Sequence, residues 1–425
     1  MPNPPTIREL MADADRRIDA CRKADLTVRV TDAAGRPVRG ANVRIEQQRH
    51  EFLFGCIMFD LLEGSADKDD EARKFIGLFN YATLPFYWGS YEPRKGKERR
   101  EALQAIARWC AAHGVATKGH PLVWFEVYPK WAASLDDPIK WNQQRVGRIM
   151  RDFAGSPGAH GQHLPGLVER WDVINESTVA DRHDNAFRQW FKRDGAATMT
   201  RQALTWARRA NPRATLLVND FNIGPAYEVV LDEVVPAGLC DAIGIQSHMQ
   251  AQEWTLDKAW NVCQTYARFG LPIHFTELTV VSGPHKPKDT DWYTYRKDWH
   301  ATPAGERRQA RYLARFYTLL FSHPAVEAIT YWGLRDPLWL GSPGGFLRAD
   351  GSPKPSYTAL RKLIRKRWWT NVSGVTDASG TLQSRVFGGE HRVTVTVGQR
   401  QTTATLALRR RSSMEVRVTA AGQGQ

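Results

Sequence analysis

Two acidic side chains stand where bond-breaking chemistry would need them. Glu176 ends the run W-D-V-I-N-E (171–176), and Glu277 ends the run P-I-H-F-T-E (272–277). An apolar strand that ends in a lone carboxylate is costly unless that group is paired or used. Two carboxyl groups facing each other across a cleft can split a glycosidic bond. One gives a proton to the leaving oxygen, and the other attacks the anomeric carbon or activates a water. A separation of roughly 5–5.5 Å serves the first route and ~6.5–9.5 Å the second. Asn175, directly before the acid, suits a hydrogen bond to a sugar 2-hydroxyl. The plainer reading of Glu176 is an acid at a helix N-terminus after a strand.

Other polar and aromatic residues also close apolar runs. His120 and Trp124 close A-T-K-G-H-P-L-V-W (116–124), and Asn219 and Asp220 close T-L-L-V-N-D (215–220). Gln246 and His248 close A-I-G-I-Q-S-H (242–248), and Trp332 lies in A-I-T-Y-W-G (328–333), with Asp336 just beyond. His248 is either a satisfied core histidine or a partner that keeps Glu277 ionised and oriented. His120 is either a sugar contact or a structural histidine. Asp220 and Asn222 either tie their own loops or meet substrate. Trp124 and Trp332 suit a sugar platform, because aromatic rings stack on apolar sugar faces and line ligand pockets. The 16 Trp of the chain fill core, line a cleft, or do both. No His/Asp/Glu cluster has ligand spacing, so neither a metal nor a cofactor is expected.

The elements that position these residues show in a repeating rhythm. Short apolar runs at 51–58, 80–88, 116–124, 170–176, 215–220, 242–248, 272–277 and 328–333 alternate with helical stretches such as 98–113, 138–154, 184–210, 255–269 and 304–322. This α/β alternation predicts eight parallel strands closed into a (β/α)8 TIM barrel over residues 49–367. An open doubly wound sheet would carry a Gly-rich phosphate turn after an early strand, and none is present. The C-terminal strand ends of a barrel form its active face, which gathers the residues above at one mouth.

The chain ends differ. Ile7, Leu10, Met11, Ala14, Ile18 and Cys21 recur at helical spacing and predict one amphipathic helix within residues 1–24. Residues 25–48 change to period two and predict a β-hairpin turning at D-A-A-G-R-P. Period two returns over 368–425 and predicts about four strands with Gly turns. Neither β piece has a core of its own. The two are therefore expected to pair into one small accessory β-sandwich, with a stiffening role favoured over sugar binding.

Composition bounds the alternatives. A chain of 425 residues with 42% hydrophobic content supports one large domain and a small one. A net charge of +14 admits nucleic acid or an acidic polymer as partner. Its tightest basic runs, 361–367 and 409–411, carry no nucleic-acid motif. A solvated Arg-rich surface without a nucleic-acid partner is expected, and an acidic polysaccharide stays open. Five cysteines without a C-x-x-C pair argue against a disulfide framework and against zinc. No run approaches 18 apolar residues, so no membrane span is expected. The first residues lack an apolar signal core, so a cytoplasmic location is expected, or a secreted one if a leader was removed. Oligomeric state leaves no trace in the sequence.

Taken in order, G-H-P-L-V-W (119–124), W-D-V-I-N-E (171–176), N-D-F-N-I (219–223), G-I-Q-S-H (244–248), F-T-E-L (275–278) and Y-W-G-L-R-D (331–336) resemble glycoside hydrolase family 10, best known for endo-β-1,4-xylanases. The resemblance runs over residues 50–367. It implies a retaining mechanism on a β-linked oligo- or polysaccharide, with Glu176 as acid/base and Glu277 as nucleophile. It also places Asn175, His120, Trp124, Gln246, His248 and Trp332 near the scissile sugar, with Asn219 in support. The chain departs from the family after strand two. A Glu-Asn pair and a Lys would bind sugar there on the non-reducing side, and T-L-P-F-Y-W-G-S-Y-E-P (83–93) lacks all three. Thr279 replaces an Asp, and Phe125 replaces a His. Lost polar partners shift specificity, so xylan is the family default and a modified, branched or different β-glycan is within reach. A non-catalytic carbohydrate-binding protein is the competing reading; the presence of both carboxylates argues against it.

Overall fold

The structure, a computed structural model, describes residues 5–59, 68–157, 163–287, 291 and 293–419. Its strands of five residues or more are, in chain order, β1 (Lys23–Thr31), β2 (Asn42–His50), β3 (Leu53–Ile57), β4 (Tyr81–Pro85), β5 (Ala116–His120), β6 (Arg170–Asn175), β7 (Thr215–Asp220) and β8 (Ala242–Met249). Then follow β9 (Ile273–Val280), β10 (Val326–Tyr331), β11 (Asn371–Val375), β12 (Thr381–Phe387), β13 (Gly389–Val397), β14 (Arg400–Leu408) and β15 (Ser413–Thr419). The chain divides into two compact units. One holds Met1–Leu53, Ala310–Pro324 and Tyr357–Gln425; the other holds Phe54–Gln309 and Ala325–Ser356. The barrel therefore does not keep one unbroken stretch. The greater part of helices Pro303–Ser322 and Pro355–Lys362 falls with the terminal segments.

Among the described residues, β3 to β10 close into a barrel in sequential order, with helices between them. Each of the eight apolar runs is a barrel strand. Parallel strands covered on both faces read as continuous apolar runs rather than alternating ones, and every residue of β9 is buried. The connecting helices start where local chemistry dictates. Asp137 accepts from the Lys140 amide with Pro138 in the first turn, Asn185 accepts from the Phe187 amide, and Thr255 accepts from the Lys258 amide. One charged pair lies inside the wall. Lys118 on β5 and Asp172 on β6 are both 0% exposed, with Nζ 2.6 Å from Oδ2.

The terminal unit holds two sheets, β12-β1-β15 and β11-β2-β13-β14. Leu26, Val28, Val43, Ile45, Val386, Val393 and Val395 belong to one shared core. Strands from both chain ends thus build one small β-sandwich. Residues 25–48 are not a hairpin, however. β1 pairs with β12 and β15, whereas β2 pairs with β11 and β13. Alternation fixes which face is buried but not which strand lies alongside. Tail strands occupy both edges of β1. The tail holds five strands rather than four; β11 is short and largely exposed, so its apolar signal is weak. The N-terminal segment, whose residues 1–4 lie outside the described residues, forms two helices, Ile7–Ala12 and Ala14–Arg22, rather than one. Asp13 breaks them at φ −92°, ψ 3°, its carboxylate taken by Arg16 at 2.6 Å. Arg22, fully buried, donates to the carbonyls of Phe321 (2.6 Å) and His323 (2.5 Å). All five cysteines are buried. No helix among the described residues is long and apolar enough to cross a membrane.

Removing one half of a buried ion pair strands the other. Lys118→Ala should cost about 3–5 kcal/mol in denaturant unfolding. The double change Lys118→Met, Asp172→Asn should cost less, because it leaves no lone charge. A single-variant loss below about 1 kcal/mol would show that the pair does not hold in solution.

Candidate active site

Consecutive residues of a strand point to opposite faces, yet Asn175 and Glu176 line the same cavity. Two backbone departures achieve this. The β6–β7 register slips between Asp172 and Ile174, leaving Val173 out of the ladder. Glu176 then takes a left-handed conformation, φ 58° and ψ 37°, which costs on the order of 1–3 kcal/mol. Its amide donates to the Asn219 carbonyl at 2.8 Å, which holds the turn. Glu277 is placed in a similar way. The β8–β9 register shifts after Ile245, leaving Thr276 out of step just before the acid. The Thr276 hydroxyl donates to Asn219 Oδ1. Bulges of this kind re-aim side chains beside functional sites.

The cavity has a volume of about 840 Å³. Glu176 is 8% exposed and Glu277 4%. Three carboxamides connect them. Gln246 Nε2 donates to Glu176 Oε1 (3.0 Å) and to Asn175 Oδ1 (3.1 Å). Asn175 Nδ2 donates to Glu176 Oε1 (3.2 Å). Asn219 Nδ2 donates to Asn175 Oδ1 and to Glu277 Oε1, both at 2.7 Å. His248 Nε2 lies 3.0 Å from Glu277 Oε2, and its Nδ1 lies 3.0 Å from Thr279 Oγ1. His120 Nε2 lies 3.7 Å from Glu277 Oε1, and its Nδ1 lies 2.7 Å from Asp172 Oδ2.

The charges are unequal. Burial pushes the Glu176 carboxyl up to about 8; the Gln246 hydrogen bond opposes this, and the charges of Glu277, Asp220 and Glu126 add to it. Burial pushes Asp172 up as well, but Lys118 and His120 outweigh it, and the net shift is below the usual carboxylate range. Burial raises Asp220 to about 6 against donors from Asn222 and Thr178.

The structure brings the sequence-predicted residues together. His120, Trp124, Asn175, Glu176, Gln246, His248, Glu277 and Trp332 all line the cavity. Asn219 does not. It is fully buried behind the wall and carries the link between Asn175 and Glu277. His248 is a hydrogen-bond partner of Glu277, and Thr279 takes its other nitrogen. Asp220 ties the segment after β6 to its own loop, through Thr178 Oγ1 (2.9 Å) and the Asn222 amide (2.8 Å). Phe125 stacks on His183, with ring centroids 5.4 Å apart.

Several cavity residues escaped the sequence reading. Tyr87 meets His120 edge-on at 5.4 Å and tilts against Trp124 at 5.3 Å. Phe59 meets Tyr87 at 5.9 Å and Trp332 at 5.7 Å. Trp339 lies 5.1 Å from His248. Elsewhere in the cavity, Arg182 stands 4.7 Å over Phe221 and Lys258 stands 4.3 Å over Trp254. One signal was available for Phe59 and Tyr87: each lies two residues past the end of a barrel strand. No group of three or more His, Cys, Asp or Glu that could hold a metal occurs among the described residues.

Known proteins share this architecture. Over 423 residues the chain is 27% identical to a protein named Anti-sigma-I factor RsgI6 from Acetivibrio thermocellus, covering 96% of this chain and 50% of that one. It is 25% identical over 297 residues to Endo-1,4-beta-xylanase B of Thermotoga neapolitana, covering 66% of this chain and 78% of that one. The chain thus spans half the length of the first relative, and 37% of Endo-1,4-beta-xylanase 1 of Arabidopsis thaliana. The crystal structure of xylanase 10B from Thermotoga petrophila in complex with xylobiose superposes with a TM-score of 0.60 at 20% identity, covering 75% of this chain and 95% of that one, a likeness of fold. The family model for glycosyl hydrolase family 10 matches residues 82–363. That stretch holds both acids, the three carboxamides between them and seven of the eight barrel strands, and the chain belongs to glycosyl hydrolase family 10.

Proposed function

We propose that this chain hydrolyses β-1,4-linked glycans of the xylan type with retention of configuration, Glu176 serving as acid/base and Glu277 as nucleophile. One observation carries the reading: two carboxyl groups share one cavity in unequal surroundings. Glu176, raised to about 8 by burial, holds a proton that it can give away. Glu277 accepts a hydrogen bond from Asn219 and faces two imidazoles, which orient it for attack.

In the first displacement a Glu277 oxygen bonds to the anomeric carbon while the bond to the leaving sugar oxygen breaks. Glu176 passes its proton to that oxygen. In the second, Glu176 takes a proton from water as the water oxygen attacks the same carbon and releases Glu277. Asn175 is placed to meet the sugar 2-hydroxyl, and Gln246 holds Asn175 and Glu176 in register. We assign catalysis to the barrel unit, Phe54–Gln309 with Ala325–Ser356. An accessory, stiffening role falls to residues 25–48 and 368–425, led in by residues 1–24. The relatives named as endo-1,4-β-xylanases support a xylan-type substrate. A second reading, binding without turnover, draws on the match to a protein with a regulatory name across 96% of this chain.

Leaving-group dependence separates the two acids. Glu176→Ala should slow hydrolysis of substrates with poor leaving groups by on the order of 10²–10⁴-fold. Activated aryl β-glycosides should lose far less, and azide should restore their turnover. Glu277→Ala should remove turnover of both classes. Near-normal activity in Glu277→Ala, or polymer binding with no turnover by the unaltered chain, would overturn the assignment. NMR of the first products should show retained configuration.

The pH profile tests the donor. Below about 8 Glu176 is protonated and competent; above it the proton is gone. kcat/KM on a poor leaving group should therefore fall as pH rises through about 8. An activated aryl glycoside should fall less over the same range. An alkaline limb that persists unchanged in Glu176→Gln would assign it to another group.

A further inference from the structure

A second groove lies beside the cavity, with one residue shared between their walls. Val127 lines both the cavity and a second groove of about 520 Å³ between residues 89–95 and 127–131. Val127 is 44% exposed and sits at φ 46°, a conformation that a β-branched residue adopts only when held there. The Gly89 amide holds it, donating to the Val127 carbonyl at 2.8 Å. A Cβ at Gly89 would lie 2.5 Å from that oxygen, so the position demands glycine. The junction between the two spaces is thus a fixed, strained feature.

Beyond the junction the groove is lined by Arg94, Lys95 and Lys130, and no carboxylate lines it. None of these three cations has an ion-pair partner among the described residues. The acid of that loop, Glu92, is 0% exposed and turned inward. It accepts from the Gly96 amide (2.8 Å) and from the indole N–H groups of Trp88 (3.2 Å) and Trp141 (3.3 Å). Glu98 is taken by Arg148 at 2.8 Å. No carboxylate therefore faces the groove beside its three cations, and a concave cationic wall concentrates anions. Trp131 adds a ring for stacking, fixed by its N–H donating to the Glu92 carbonyl at 2.9 Å. Cations beside an aromatic ring suit a sugar that carries a carboxylate.

We propose that this groove is an extended subsite that binds carboxylate-bearing sugar units of the glycan held in the cavity, making an acidic β-glycan the preferred polymer. This rests on the cavity being the place of glycan cleavage. The test compares glucuronoxylan with the same polymer after its carboxyls are reduced to alcohols. Calorimetry on the full chain should show the native polymer bound about tenfold more tightly at low ionic strength. In about 1 M salt, where the Debye length is ~3 Å, the gap should vanish. The triple variant Arg94→Ala, Lys95→Ala, Lys130→Ala should shrink the gap about fivefold or more. Its kcat/KM on a neutral aryl β-glycoside should stay unchanged, which also shows that it folds. Equal binding of the two polymers at low salt, or an undiminished gap in the triple variant, would overturn the subsite while leaving cleavage intact. A chain that shows the gap but cleaves neither polymer nor aryl glycoside would overturn the cleavage reading, and the subsite with it.

Discussion

Glu176 and Glu277 line one buried cavity, and two carboxyl groups in such a place must be held apart in charge and position by what surrounds them. The carboxamides between them are neutral and fix positions without cancelling charge. Their orientation is forced by their own oxygens. Asn175 Oδ1 is taken by Gln246 and Asn219, and Asn219 Oδ1 by Thr276, so the N–H ends must point at the acids. The asymmetry comes from the next ring of groups outward. Glu176 feels further negative charge from Asp220 and Glu126. Glu277 meets the imidazoles of His120 and His248.

That arrangement is anchored in the barrel wall. Lys118 pairs with Asp172, Asp172 meets His120, and His120 faces Glu277. A fully buried ion pair contributes little net stability, because desolvation offsets its attraction. Its use here is directional: it sets the ring plane of His120 from behind. The same logic covers the backbone. A regular strand cannot present Asn175 and Glu176 to one side, so a register slip at Val173 and a left-handed turn at Glu176 bring them together. The matching slip at Thr276 aims Glu277. The strain at Glu176 is borne by the closed barrel around it.

The barrel was legible because its strands are buried on both faces and end abruptly in polar residues. That pattern survives without knowledge of any partner, and it located Glu176, Glu277, Gln246 and His248. What depends on partners was harder to read. Period two in residues 25–48 gave the buried faces of β1 and β2, but β1 pairs with residues some 350 positions away, and no local signal carries that. Helical spacing over 6–23 was real, but Asp13 satisfies itself with Arg16 and breaks the helix. Lys118 and Asp172 make sense only once β5 and β6 are known to be neighbours. Tyr87 and Phe59 sit on loops, where type alone does not distinguish a cavity wall from core filling.

The aromatic wall bears on where selectivity arises. Phe59, Tyr87, Trp332 and Trp339 form a connected set of rings around His120 and His248. Rings reward any sugar face that lies flat on them and discriminate weakly among hydroxyl patterns. Strict discrimination needs polar groups that would be left unpaired by the wrong ligand. Such groups are gathered at the carboxamides, the two imidazoles and the two acids. A sugar held between Glu176 and Glu277, as proposed, would be read hydroxyl by hydroxyl, whereas one lying against Tyr87 and Phe59 would be read by its shape.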